Sequence, residues 1–409
     1  MANTADSYSS QNRVQRRRVA ITGIAAISSC GIGKDSFFNG LSSKAPIGPR
    51  RVQGFEPTDW LDPKEAKRTD RFAQFSIAAA DMALKDAGQI TIPKDRIGVI
   101  FATGIGGLAT LQEQIGNLIQ KGSRRVSPFL VPMMMCNAGA AGISMRHGFS
   151  GPCQTIVTAC ASSNHAISDA YRQIAFGFAD ATVTGGAEAA IEAVGETPPI
   201  GEVAFTQMTA LSSTGISRPF DESRDGFVIA EGAAALVLEE MSAAIARDAH
   251  IYGEILGTAA NADAYHITAP SPNGEGARLC MELALQDAGL GVGDIAHINA
   301  HGTSTPLNDL AEAQAINKLF GASSPPVSSI KGVLGHSLGA AGALEAAAIC
   351  MTIEKGLVPP TMGLETQDSQ IEISIVKDKA LPFTPGPVLS NSFGFGGHNG
   401  CIIIAPYSL

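Results

Sequence analysis

Cys160 lies in "IVTACASSNHAISDAYRQIAFG", between the β-branched run Ile156-Val157-Thr158 and apolar residues at Ile167, Ala170, Ile174 and Phe178, which repeat with helical spacing. The pattern puts a thiol at a strand-to-helix junction, in the first turn of the helix. Unpaired N–H groups and the helix dipole favour a thiolate there and offer donors to an oxyanion. Such a position can lower a thiol pKa by a unit or more from ~8.5. Alone, a cysteine at such a junction is more often a small buried hydrophobe than a nucleophile. Its company changes the balance. Three further stretches rich in glycine and polar residues follow strand-like runs: "NAHGTSTPLND" from Asn299, "IKGVLGHSLGAAG" from Ile330 and "NSFGFGGHNG" from Asn391. Ligands in α/β proteins bind at strand ends. Two of these loops hold a histidine among small residues, His301 and His336. Together they suggest a nucleophile served by two hydrogen-bond donors.

The elements that must position these groups alternate. "RRVAITGI", "RIGVIFATG", "QTIVTA" and "ATVTGGAEAAI" read as strands separated by helical segments, among them "FAQFSIAAADMALKDAG" and the helix after Cys160. From about Ile251 a similar order returns: "IYGEILGTAA", the helix "GARLCMELALQDAG", "IAHINAHG", "PPVSSI", the helix "LGAAGALEAAAICMTIEKG" and "GCIIIAP". Alternation predicts α/β architecture with mainly parallel sheets. The echo predicts two duplicated halves, 17–250 and 251–409, after a tail over 1–16, with no hinge-like linker between them. The segment from Ser337 to Gly356 is apolar almost all round and therefore buried on several sides. Its start, Gly339-Ala340-Ala341-Gly342, lets a partner helix or sheet approach closely.

Composition narrows the classes of function. The chain has 409 residues, 45% of them apolar and 16% charged, enough for a large core. A net charge of −9 argues against nucleic acid as a partner. No run reaches the ~18 apolar residues of a membrane span, and the polar start ending in "RRR" has no apolar secretory core. Seven cysteines without C-x-x-C spacing fit free thiols in a cytoplasmic setting, not a disulfide framework or a metal site.

Taken in order, "TACASS", "NAHGTSTPLND", "IKGVLGHSLGAAGALEA" and "NSFGFGGHNG" closely resemble β-ketoacyl-acyl-carrier-protein synthases of the type II elongating kind. "RIGVIFATGIGGL", "TGGAEA" and "SRPFDESRDGFVIAEGAAALVLEE" extend the likeness from about Arg17 to Pro406. The resemblance implies a thiolase-like fold, two related halves in a five-layered αβαβα sandwich, usually dimeric. It implies that Cys160 takes an acyl group from a carrier-protein thioester. His301 and His336 then assist decarboxylation of a malonyl unit, and the Cys160 and Phe395 amides form an oxyanion hole. Lys331 and Glu345 match a supporting charged pair, for which a buried structural ion pair is the alternative reading. Asp263 matches an acidic member of the same network. Thr303 and Thr305 correspond to residues that hold the phosphopantetheine arm, Phe395 and neighbouring Phe393 to the gated pocket wall, and Ile105 to a position that limits chain length. No cofactor is implied beyond the arm on which acyl carrier protein delivers its substrates.

An acidic synthase needs a local basic landing site for an acidic carrier. "DPKEAKRTDR" sets Lys64, Lys67, Arg68 and Arg71 on neighbouring turns of one helix, and Arg124 and Arg125 add a second pair. Either group also reads as an ordinary solvated face. The chain departs from the family in extra residues around Gly195–Ile200, a shortening between Ser212 and Ser217, Thr209 in place of a basic residue, and the Met-rich "PMMMCN". These departures leave open fatty-acid elongation by a homodimer, or a type II polyketide or polyene ketosynthase paired with a chain-length-factor homologue. A non-catalytic chain-length subunit should lack the nucleophile. A degradative thiolase would need a second cysteine, and Cys401 sits instead in the apolar run "CIIIAP".

Overall fold

Strands buried on both faces read as continuous apolar runs, and "GCIIIAP" shows how such a run is divided. Ile402 and Ile404 join one hydrophobic cluster while Cys401 and Ile403 join another, as the two-residue period of a strand requires. The computed structural model describes residues 16–321 and 324–408. Arg16 apart, the tail expected over 1–16 lies outside the described residues.

Ten strands carry the architecture: β1 (Val19–Ser28), β2 (Ile97–Ala102), β3 (Cys153–Ile156), β4 (Ala181–Glu188), β5 (Gly232–Glu240), β6 (Gly253–Ala262), β7 (His297–Asn299), β8 (Val327–Ser328), β9 (Val388–Gly394) and β10 (His398–Ala405). Their order is β3-β2-β4-β5-β1-β6-β10-β9-β7-β8. Read from either outer edge, each set of five runs third, second, fourth, fifth, first. Directions repeat too. In each set the second strand is parallel to the third and fourth, and the fifth is antiparallel to the fourth and first. Among the described residues the ladder passes from one set to the other through β1 and β6, at Ala20–Glu254 and Ile21–Gly253.

The expectation of mainly parallel sheets is corrected, because half the pairings within each set are antiparallel. One cause is local: Phe395, Gly396 and Gly397 alone separate β9 from β10, too short a link for a parallel crossover. "NSFGFGGHNG" is therefore mostly strand, with a three-residue turn, and not a long loop.

Helices α1 (Arg71–Ala87) and α2 (Ala138–His147) cover the outer face of the first set. Helices α4 (Glu275–Ala288) and α5 (Pro306–Phe320) cover the outer face of the second. Between the two sets lie α3 (Ser162–Ala175) and α6 (Ala341–Lys355), which touch each other and strands of both sets. The result is the αβαβα sandwich. Every residue of α6 from Ala341 to Ile353 is buried. A Cβ at Gly342 would strike the Asn164 side chain of α3 and come 3.1 Å from its amide nitrogen. That close approach explains the run of small residues. Helix α3 buries Ile167, Ala170 and Ile174 but stops at Ala175, leaving Phe178 beyond its end and exposed.

Candidate active site

Between β3 and α3 the chain turns sharply at Ala159, whose φ of 50° costs about 1–2 kcal/mol for a residue with a Cβ. Ser162 holds the bend: its Oγ accepts from the Thr158 amide at 2.8 Å and donates to the Ala159 carbonyl at 2.6 Å. Cys160 follows the strained residue and faces the end of β9. A Cβ at Gly394 would lie 3.0 Å from the Cys160 amide nitrogen and 3.0 Å from the Thr158 carbonyl oxygen. Glycine here lets the turn at Phe395 settle close to the nucleophile, where the Phe395 amide favours the thiolate.

His301 lies just past β7. Its amide and that of Gly302 each donate at 2.8 Å to Glu312 of α5, and Asn391 of β9 donates to the same carboxyl at 3.1 Å. Lys331 donates to the His301 carbonyl at 2.6 Å and pairs with Glu345 of α6. Its Nζ also stands 3.5 Å from His301 Nδ1. An ammonium has no acceptor, so Nδ1 is the accepting nitrogen and Nε2 carries the proton. His336 is held by its backbone, its amide donating to the Val228 carbonyl at 2.7 Å. The two imidazoles meet edge to face, 5.3 Å apart at 84°, and Phe227 packs on the other side of His336 at 5.3 Å. Cys160 Sγ and one nitrogen from each histidine lie within 4.8 Å of one another.

Burial, and then the Lys331 charge, holds both histidines well below the usual imidazole range, so both are neutral at pH 7. Burial pushes the Cys160 thiol up to about 11, with Lys331 and the Phe395 amide only partly opposing it. The lowering expected from a place in the first turn is overturned: α3 begins at Ser162 with Ala161 as its N-cap, so Cys160 lies ahead of the helix, and burial dominates.

These groups border a cavity of about 480 Å³. Thr303 and Thr305 line it and share a hydroxyl–hydroxyl hydrogen bond of 2.9 Å, while the Thr303 amide donates to Asp309 at 2.9 Å. Phe393 and Phe395 close one wall, and Phe393 lies 6.0 Å from the His301 ring. Ile105, Phe205, Phe227 and Leu338 form an apolar arm. Phe205 comes from the helix Ile200–Gln207, which follows directly on the segment Gly195–Ile200, and Thr209 also lines the cavity. Cys136 of the Met-rich segment touches the Ile105 carbonyl at 3.6 Å.

Two expectations fail. Asp263 lines the cavity but makes no bond to the Lys331–Glu345 pair; it accepts from Asn399 at 2.8 Å and Ser271 at 2.9 Å, beside the Phe395 turn. The basic segment is not one helix, because Pro63–Ala66 ends after four residues and α1 restarts at Arg71. Lys64, Lys67 and Arg68 are exposed, as are Arg124 and Arg125. Arg71 is withdrawn from the surface by two hydrogen bonds, of 2.8 and 3.0 Å, to buried Glu231. Its guanidinium also covers the Phe75 ring at 4.6 Å.

Sequence reasoning missed the supporting acids. Glu312 fixes the His301 backbone. Glu188, at the end of β4, accepts from the Gly104 amide at 2.7 Å and the Gly339 amide at 3.1 Å, and so ties both sides of the apolar arm. Burial pushes each up to about 7. Both sit among small apolar residues, in "LAEAQAI" and "TGGAEAAI", where a lone carboxylate needs a buried partner. Among the described residues no helix is long and apolar enough to cross a membrane.

Comparison with known proteins agrees with this arrangement. The beta-ketoacyl synthase N-terminal domain matches residues 48–244 and the corresponding C-terminal domain matches 252–365. The 3-oxoacyl-[acyl-carrier-protein] synthase 2 of Synechocystis is 41% identical, over 96% of this chain and 99% of its own. Among solved structures, the ishigamide ketosynthase/chain length factor superposes with a TM-score of 0.88 at 31% identity. The AntDE:AntF complex, a type II PKS acyl-carrier protein with its ketosynthase, gives 0.86 at 30%. Each superposition covers 96% of this chain and all of the other. With both domain matches, full-length relatives and a shared sandwich in agreement, the chain belongs to the beta-ketoacyl synthase family.

Proposed function

We propose that the protein is a 3-oxoacyl-[acyl-carrier-protein] synthase that elongates an acyl chain by decarboxylative condensation with a malonyl unit. One observation carries the reading: a buried thiol and two neutral imidazoles converge within 4.8 Å on a cavity with an apolar arm. In the first half-reaction the Cys160 sulfur attacks the thioester carbonyl of an acyl carrier protein. The amides of Cys160 and Phe395 take the developing oxyanion, each donor contributing about 3 kcal/mol. The carrier thiol leaves, and the acyl group stays on Cys160 in the apolar arm.

Malonyl carrier protein then enters along Thr303 and Thr305. Breaking its carboxylate bond releases carbon dioxide and leaves the electron pair as an enolate, whose oxygen accepts from Nε2–H of His301 and from His336. The enolate carbon attacks the acyl-cysteine carbonyl, and the Cys160 thiolate departs as the 3-oxoacyl thioester forms on the carrier. Neutral imidazoles suit this task, since they donate without holding a charge that would trap the enolate. The exposed Lys64, Lys67, Arg68, Arg124 and Arg125 receive the acidic carrier. The seven free cysteines suit a reducing cytoplasm.

Incubation with acyl carrier substrate, followed by intact-protein mass spectrometry, tests the assignment. The native chain should gain one acyl mass and Cys160→Ala none; an adduct persisting on the variant would refute it. A second reading, a type II polyketide or polyene ketosynthase working with a chain-length partner, draws support from the two structural neighbours and from Thr209, a departure from the family that lines the cavity. Products from a ladder of acyl carriers, with and without a co-expressed partner, separate it from homodimeric fatty-acid elongation.

A further inference from the structure

Arg50 is among the largest fully buried side chains, yet among the described residues no carboxylate pairs with it. It donates instead to three carbonyls: from Nε to Val333 at 2.9 Å, from Nη2 to Pro46 at 2.6 Å, and from Nη1 to Gly48. Val333 lies in the short helix Lys331–Leu334, all four residues of which are buried. Gly335 follows with φ +69°, and a Cβ there would come 2.8 Å from Arg50 Cγ. The next residue is His336.

The backbones are laced together as well. The Arg50 amide donates to the Ile229 carbonyl at 2.9 Å, the His336 amide to Val228 at 2.7 Å, and the Ala230 amide to the His336 carbonyl at 3.0 Å. Arg50 and His336 thus bridge the same short segment, from its two sides. This matters because His336 Nδ1 is buried with no hydrogen-bond partner, whereas His301 Nδ1 faces Lys331. An imidazole without an anchor on its far nitrogen takes its orientation from packing and from its backbone.

We infer that Arg50 is a positioning residue for His336, its guanidinium fixing the turn that aims this imidazole into the cavity. The inference rests on the role proposed above for His336 in decarboxylation. Arg50→Lys keeps the charge but cannot span three carbonyls, and Gly335→Ala presses on the same contact from the other side. Each should lower malonyl decarboxylation about 10- to 100-fold, the effect of a misplacement of about 1 Å. Acyl loading of Cys160 and KM for malonyl carrier protein should stay within about twofold, because neither depends on the His336 donor.

The decisive measurement is the same substitution in a His336→Ala background. There Arg50→Lys should cost nothing further in the residual decarboxylation rate. Equal losses in loading and decarboxylation, a further loss in the His336→Ala background, or no loss in either variant would each overturn the inference. So would failure of both variants to fold, which would make Arg50 a folding determinant. His336→Ala alone tests the underlying reading, since unchanged decarboxylation there removes His336 from the reaction whatever Arg50 does.

Discussion

Cys160 and the two histidines divide the labour, and their protonation states follow from burial. The thiol is protonated at rest and both imidazoles are neutral. His336→Ala should therefore reduce malonyl decarboxylation at least 100-fold while slowing acyl loading far less, and separate assays of the half-reactions check this. The pH profile follows with a definite sign. A histidine held below ~6.5 stays neutral as pH falls through 6.5, so the imidazoles add no inflection there, and any change in decarboxylation between about pH 6 and 8 belongs to the buried carboxyls Glu312, Glu188 and Glu345, pushed up to about 7. An inflection near 6.5 that persists in Glu312→Gln and disappears in His336→Ala would mean that this imidazole titrates as if in water. The same depression opposes folding in acid: the unfolded chain takes up these protons first, so the stability present above ~6.5 is lost below it. At this scale the reacting residues were legible, because a thiol and two histidines among small residues at strand ends are unusual. Glu312, Glu188 and Arg50 were not. Glu188 and Arg50 reach partners remote in sequence, Gly339 at 151 residues and Val333 at 283, while Glu312 turns back on amides only 10 and 11 residues away that no side-chain pattern marks.

The hairpin of β9 and β10 shows what an element adds. Its pattern of Gly and polar residues reads as a loop, yet seven consecutive pairs from Val388–Ile404 to Gly394–His398 make it a regular ladder up to the turn. Regularity carries the position of the Phe395 amide from the core to the nucleophile. Gly394 is the hinge of that placement, with 3.0 Å available where an ordinary carbon contact takes 3.4–4 Å. Gly394→Ala should thus displace the oxyanion donor. Acyl loading should fall about 10²- to 10³-fold, the usual effect of losing one such donor, while thermal unfolding shifts only slightly. Stopped-flow loading with a chromogenic thioester, beside calorimetry, checks both halves of that statement. Periodicity could find these strands, but it could not say that the fifth strand of each set returns antiparallel, which depends on the length of the connection.

At the scale of the whole molecule, a chain of net charge −9 must attract an acidic carrier, and its basic residues divide into two populations. Arg124 and Arg125 are exposed and form no ion pair with a described residue, whereas Arg71 answers Glu231, whose side chain is 2% exposed. Sequence pattern grouped Arg71 with the docking residues because spacing along a helix cannot tell an outward arginine from one drawn inward by a carboxylate 160 residues away. Substitution separates the two populations. Arg124→Glu with Arg125→Glu should raise KM for acyl carrier protein several-fold at low salt, with the difference shrinking toward 0.5 M salt as screening removes the field. Turnover of the same acyl group on free pantetheine should not change, since no carrier is present to be repelled. Arg71→Ala should do the reverse. It strands Glu231 without its partner and costs about 3 kcal/mol of stability. Below the lowered melting temperature, carrier-borne and free thioesters should then keep their native ratio of kcat/KM. A carrier-specific defect in Arg71→Ala would return that arginine to the landing surface.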